Sequence, residues 1–299
     1  MKYVSNSDGH ITHITQKTVE NATFNMLIIH GMAEHRFRYD AFIKELNEHK
    51  INAYAVDLRG HGKSPHEEKM GHFADDNGFE KNVDDLYAIL QKIKNKSDLP
   101  IILFGHSMGS LFARALIRKY PDQIDALILS GSPYFPKGFN LIKRLLVIPK
   151  KLSPHKPAQK IADMTNDAFM KDIEDKRTDL DWLSFDSKNV DNFINDPLCN
   201  FPFTYAGYYD LFKLMEAVYQ KPWHKPTKDI PVLFLIGKYD PCPDFKRGGY
   251  DAALNKLKHE GYVNIEPIIY EHSRHELLQD VEKEKVTDVI LHFIHDLSA

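Results

Sequence analysis

A serine, an aspartate and a histidine each follow an apolar run in this chain, and side chains of these three types can together attack a carbonyl carbon. Ser107 sits in Gly105-His106-Ser107-Met108-Gly109, between the apolar run 101–104 and a helical pattern over 111–116. Gly-x-Ser-x-Gly between a strand and a helix reads as a nucleophile elbow, a turn so tight that only glycine fits two residues to either side. A serine hydroxyl is a poor nucleophile until a base removes its proton, and the base needs a carboxylate to fix its tautomer and stabilise the imidazolium. Asp240 stands just past the buried run 232–236, at the strand end where ligands gather in open α/β sheets. His275 follows 35 residues later, after the last apolar run. Chain order Ser, Asp, His is the one expected of a serine raised on such an elbow.

Two choices among neighbours need a reason. Asp244 is another carboxylate near the strand end, but it is placed to cap the following helix, so Asp240 is preferred. His275 is preferred to His272 because it lies where the loop meets Glu276-Leu277-Leu278, whereas His272 reads as an exposed loop residue. The oxyanion of a tetrahedral intermediate needs two preorganised donors. The backbone N–H of Met108, next after the serine, is one, and that of Met32, following His30-Gly31, is the other. His30 itself reads as a hydrogen-bonding link between loops.

The surrounding elements must bring these residues to one edge. A weakly alternating stretch over 3–17 with Asp8-Gly9 predicts an edge hairpin. Strands are predicted at 24–29, 51–56, 101–104, 124–129, 231–236 and 263–269, with helices at 36–49, 79–93, 111–116, 245–259 and a last one through Val286, Ile290 and Phe293. Strands alternating with helices at this spacing predict a mostly parallel, doubly wound α/β sheet with right-handed crossovers. The rhythm stops between Pro133 and Lys228. Residues 133–228 are therefore read as an inserted helical cap, and 1–132 with 229–299 as one core. Within the insertion, the charged stretch 171–188 reads as a solvated surface helix.

Bulk composition narrows the class. At 299 residues, 42% apolar and 27% charged, the chain has the make-up of a globular enzyme with one large core. A formal charge of −3 with mixed signs gives no basic face for nucleic acid. Cys199 and Cys242 are too few for a disulfide framework or a zinc site and read as small buried apolar residues. The 16 histidines are scattered along the sequence without a metal-ligand spacing, so no metal or other cofactor is expected. The first residues lack the apolar segment of a signal peptide, and no run is long enough to span a bilayer, which leads to a cytoplasmic expectation.

The chain resembles the monoacylglycerol lipase and lysophospholipase branch of the α/β-hydrolases, also grouped as serine aminopeptidase-like S33 hydrolases. The residues that carry the likeness are His30-Gly31-Met32-Ala33-Glu34-His35 with Arg38-Tyr39, Asp57-Leu58-Arg59-Gly60-His61-Gly62-Lys63-Ser64, and Gly105-His106-Ser107-Met108-Gly109. Asp196-Pro197-Leu198, Gly237-Lys238-Tyr239-Asp240 and His275-Glu276 complete the set. The resemblance implies an α/β-hydrolase fold, the triad Ser107, Asp240 and His275, and oxyanion donors at Met32 and Met108, in agreement with the reading of the residues themselves. It also implies hydrolysis of a carboxylic ester, with monoacylglycerols, lysophospholipids or other medium-chain monoesters as substrates. A peptidase or amidase of the same family, and a ligand-binding homologue without turnover, are the alternative readings. Residues 133–195 depart from the branch, and the cap selects the acyl and alcohol parts. There Leu141, Ile142, Leu145 and Leu146 share a helical face beside Lys143 and Arg144, a pattern that suits either packing on the core or transient contact with an anionic membrane. The aromatic-rich stretch 201–212 suits an acyl tunnel or a cap-to-core interface equally.

Overall fold

The structure is a computed structural model that describes residues 1–65, 69–135 and 138–298. Residues 66–68 and Ala299 of the expected core, and 136–137 of the expected cap, lie outside the described residues.

Five strands buried along their whole length are the scaffold, and each arises from a short, largely apolar run. They are β3 (Phe24–Ile29), β4 (Ile51–Val56), β5 (Ile101–His106), β6 (Ala126–Ser130) and β7 (Val232–Gly237), with β8 (Ile265–Tyr270) as a half-exposed edge. Residues covered on both faces have no polar side to alternate, which is why these runs read as continuous. The hairpin β1 (Lys2–Val4) and β2 (Ile11–Lys17) is antiparallel and joins the sheet through β4. The order is β1-β2-β4-β3-β5-β6-β7-β8, and every pairing from β4 to β8 is parallel.

Helices cover both faces. On one, α1 (Asp40–Glu48) and α10 (Lys283–Asp296) bury Phe42, Ile43, Leu46, Val286, Ile290 and Ile294 against β3, β4 and β6. On the other, α2 (Gly78–Lys94) and α3 (Met108–Lys119) pack with Leu27, Leu103 and Leu127. The expected helix over 36–49 opens instead as a 3-10 turn, Arg36–Tyr39, before α1. Between β6 and β7 the described chain adds no strand to the sheet. It forms α4 (Phe139–Leu145), α5 (Val147–Leu152), α6 (Gln159–Met170), α7 (Ser187–Asn195) and α8 (Tyr205–Gln220), and α8 packs on α2 and α3. After β7, α9 (Gly249–His259) follows a 3-10 turn, Phe245–Arg247, whose N-terminal cap is Asp244, as its position before the helix implied.

One expectation fails. The stretch 171–188 is not a surface helix: its outer half is exposed turn, but residues 180–184 fold inward through a 3-10 turn at Asp181–Leu183, burying Leu180, Trp182 and Leu183. Charge dominates the composition of this stretch and hid a short apolar anchor that has no helical period.

The close crossing of β5, β3 and α3 fixes the elbow. A Cβ added at Gly109 would stand 2.1 Å from the carbonyl oxygen of Ile29, and one at Gly105 would stand 2.5 Å from that of Gly109. Gly109→Ala is therefore expected to cost at least about 3 kcal/mol, the upper range of overpacking. Gly9→Ala, at a left-handed turn position with nothing within 4 Å, is expected to cost only about 1 kcal/mol. Urea titrations of the two variants check this, and equal losses would remove the claim that α3 is seated by backbone contact.

Candidate active site

β5 ends at His106, and the next residue, Ser107, has φ 50° and ψ −120°. A non-glycine residue in this region is strained, and such strain persists only where neighbours hold it. Ser107 N–H donates to the Ser130 carbonyl (2.8 Å), while Ser110 Oγ donates to the Ser107 carbonyl (2.6 Å) and meets Ser132 Oγ (2.9 Å). Arg114 Nη1 donates in turn to Ser132 Oγ (3.0 Å). The elbow is thus clamped to the end of β6.

Asp240 and His275 come together from the ends of β7 and β8. His275 Nδ1 lies 2.9 Å from Asp240 Oδ2, and Asp240 Oδ1 accepts the Cys242 N–H at 2.8 Å. Burial favours the neutral imidazole, but the Asp240 charge and hydrogen bond outweigh it and hold the His275 pKa well above the ordinary histidine value. On the other side of the ring, Nε2 has Cys242 Sγ at 3.9 Å, and the His275 ring packs against His106 (centroids 4.8 Å apart) and Trp182 (5.1 Å). Among the described residues His275 makes no hydrogen bond to the Ser107 hydroxyl. Burial pushes the Cys242 thiol up to about 11, so at neutral pH it is a small apolar neighbour, as its composition suggested. His272 is exposed.

The segment 30–34 folds over the elbow. A Cβ on Gly31 would stand 3.2 Å from that of Ser107, so this backbone passes directly beside the serine. Among the described residues the Met32 and Met108 N–H groups donate to no carbonyl or side chain. His30 links loops, as expected: its Nε2 accepts the Leu58 N–H (3.0 Å) and its Nδ1 lies 2.7 Å from the Gly31 carbonyl. Burial holds its pKa down at about 3, and burial together with the His275 charge holds that of His106 at about 4, so both rings are neutral at pH 7.

Sequence reasoning gave no role to the groups that support this site. Glu34 Oε1 accepts the Gly31 N–H and the Tyr39 hydroxyl (3.0 Å). Arg38 Nη1 donates to Glu34 Oε2 (2.7 Å) and Glu276 Oε1 (2.5 Å), and Nη2 to Glu276 Oε2 (2.8 Å) and Asn189 Oδ1 (3.0 Å). Burial alone would push the Glu34 carboxyl up, but the guanidinium holds it below the usual carboxylate range. The inward-folded segment is tied to the histidine loop as well. Glu276 N–H donates to the Leu183 carbonyl (2.8 Å), Arg274 Nη1 to the Asp181 carbonyl (2.6 Å), and Ser184 Oγ to Asp280 Oδ1 (2.9 Å). The signals for these residues were the motifs Glu34…Arg38-Tyr39 and His275-Glu276. Trp182 had none.

The sequence profile of the family described as serine aminopeptidase, S33, matches residues 20–282. The monoglyceride lipase of Rattus norvegicus is 27% identical over 273 residues, covering 90% of this chain and 80% of that relative. The monoacylglycerol lipase of Mycolicibacterium smegmatis is 30% identical over 149 residues, 50% of this chain and 51% of the relative. Among solved structures, a highly thermostable carboxyl esterase from Bacillus coagulans in complex with glycerol superposes with a TM-score of 0.88 at 24% identity, covering 100% of this chain and 98% of that one.

Two outcomes are expected from this geometry. If His275 serves as a base, activity falls as pH drops through a value above 6.5, because the raised pKa protonates the ring early. Asp240→Asn removes the charge that raises it, so the acid limb moves to lower pH while the plateau drops by about 10⁴. A pH–rate profile of both forms decides this, and an unmoved limb would refute it. Separately, Arg38→Met leaves two buried carboxylates without their counter-charge and is expected to cost roughly 3–5 kcal/mol in urea unfolding.

Proposed function

The chain belongs to the serine aminopeptidase S33 family of α/β-hydrolases, and from that premise we propose that it hydrolyses carboxylic esters through Ser107, His275 and Asp240. The observation that carries this reading is the 2.9 Å pairing of His275 Nδ1 with Asp240 Oδ2 beside the strained Ser107 elbow. Ser107 Oγ attacks the ester carbonyl, and His275 Nε2 takes its proton. The imidazolium, held by Asp240, passes that proton to the leaving alcohol. The negative oxygen of the tetrahedral intermediate is received by the Met32 and Met108 amides, and water then deacylates Ser107 by the reverse sequence.

Monoacylglycerols, lysophospholipids or similar medium-chain monoesters are the proposed substrates, and residues 133–228 the cap that selects them. The monoacylglycerol and monoglyceride lipases among its relatives support the first of these. An aminopeptidase would need a carboxylate to receive the substrate's amine. Glu34 and Glu276 beside the site are both engaged by Arg38, which favours the ester reading. The cap also bears the features of a lipid-facing surface. Leu145, Ile148 and Leu152 on α4 and α5 are 67%, 67% and 76% exposed, beside exposed Arg144 and Lys151. Leu146, expected on the same face, is buried instead, at the junction of the two helices. No helix among the described residues is long and apolar enough to cross a membrane.

The test is hydrolysis of p-nitrophenyl esters of graded acyl length and of monoacylglycerol emulsions. Turnover peaking at one length, and falling by five to six orders of magnitude (~10⁵–10⁶) in Ser107→Ala, is the expected result. Absence of turnover in the unaltered protein with all esters would overturn it. Leu145→Asp with Ile148→Asp is expected to raise KM on the emulsion while leaving soluble esters unaffected.

A further inference from the structure

A second cluster of chemically competent side chains lies where the segment after α5 crosses the core. His72 and Asp75 belong to the connection between β4 and α2, and His155 to the turn between α5 and α6. Their ligand-type atoms all lie within 4.8 Å of one another. His72 Nε2 is 3.2 Å from Asp75 Oδ1, and His155 Nε2 is 2.5 Å from the same oxygen. The two rings stand nearly edge to face, with centroids 4.5 Å apart. Two imidazoles therefore aim the same nitrogen at one carboxylate oxygen from opposite sides of a chain crossing.

The surroundings suit a cation. His72 Nδ1 lies 3.1 Å from Thr204 Oγ1, the kind of outer contact that fixes the tautomer and ring orientation of a metal-bound histidine. A cavity of about 520 Å³ beside the cluster, lined by Asp75, Asp76, Lys150, Lys151, His155 and Tyr209 among others, gives solvent and ions a route in. Asp75 is exposed and His155 half-exposed, so the carboxylate and one ring can adjust without disturbing packing.

We propose that His72 Nε2, Asp75 Oδ1 and His155 Nε2 bind a divalent transition-metal ion of the zinc type, with water completing a four-coordinate sphere. Two neutral imidazoles and one carboxylate are a donor set that zinc accepts, and a solvent-reached fourth position fits a three-ligand site. Among the described residues lysines oppose the ion: Lys150 and Lys151 line the same cavity, and Lys69 acts on a ligand directly. Lys69 Nζ is 2.8 Å from His155 Nδ1 and donates to it. Once an ion takes Nε2, the ring proton must sit on Nδ1, where it faces the ammonium group, so Lys69 has to turn away. Lys69 is thus a built-in competitor. The ion would join the 69–78 connection to the 153–158 turn, and so hold part of the proposed cap on the core without touching Ser107, Asp240 or His275. This inference does not depend on the ester-hydrolase reading.

The experiment is calorimetric titration of Zn²⁺ into chelator-stripped full-length protein, with thermal unfolding and Co²⁺ absorption at 500–650 nm as parallel readouts. One Zn²⁺ per chain at micromolar or tighter Kd, with a rise in Tm, is expected. His155→Ala and Asp75→Asn, both at accessible positions, are each expected to weaken binding at least tenfold and to remove the Co²⁺ bands, while circular dichroism shows the fold retained. Lys69→Ala is expected to tighten binding. Undiminished binding in both ligand variants would put the ion on other histidines and overturn the assignment. Failure of both the unaltered protein and Lys69→Ala to bind at 100-fold micromolar (~10⁻⁴ M) Zn²⁺ would overturn it as well.

Discussion

The buried guanidinium of Arg38 is the interaction on which the site's geometry depends. It sits between two carboxylates that are almost entirely excluded from water, and all three charges have been taken out of solvent at a cost of several kcal/mol each. That cost is offset only while the geometry is held, so the three groups act as a lock. What the lock joins is informative. Glu34 carries the Gly31 amide, and so sets the backbone that passes Ser107; Glu276 adjoins His275; Asn189 belongs to α7 in the insertion. One side chain thereby fixes the relative positions of the turn after β3, the loop after β8 and the helices above them.

The same economy appears at the elbow. Ser107 holds an unfavourable backbone conformation because contacts at Gly105 and Gly109 leave the chain nowhere else to go, and hydrogen bonds from Ser110 and to Ser130 secure it. Around it, His30, His61 and His106 are buried and kept neutral mainly by desolvation. Only His275, with a carboxylate against its ring, is pushed the other way. Environment, rather than residue type, separates one histidine from the others as the group suited to accept a proton.

The insertion takes part in this arrangement. Its segment 181–184 is bonded to the loop carrying His275, and Trp182 packs on the ring itself. Phe201 and Phe203 pack against His61 and Phe73 of the core, so the aromatic stretch 201–212 is in part an interface between insertion and core. Residues 181–184 and the orientation of the His275 ring are therefore coupled through direct contacts.

The parallel sheet, the elbow at Ser107 and the candidacy of Asp240 and His275 were all legible in the amino-acid order. These features are local: a continuously apolar run, a glycine pair at fixed offsets, and polar residues at strand ends are all written in consecutive positions. The tertiary structure decided what depends on contacts between distant segments. The Arg38 lock spans from residue 34 to residue 276, and the inward fold of Trp182 is set by partners near residue 275 rather than by its charged neighbours. His72, Asp75 and His155 look scattered along the chain because no spacing rule links them, and only the crossing of two segments brings their atoms within 4.8 Å. Periodicity records which face of an element is buried, but which buried groups meet is fixed by long-range packing.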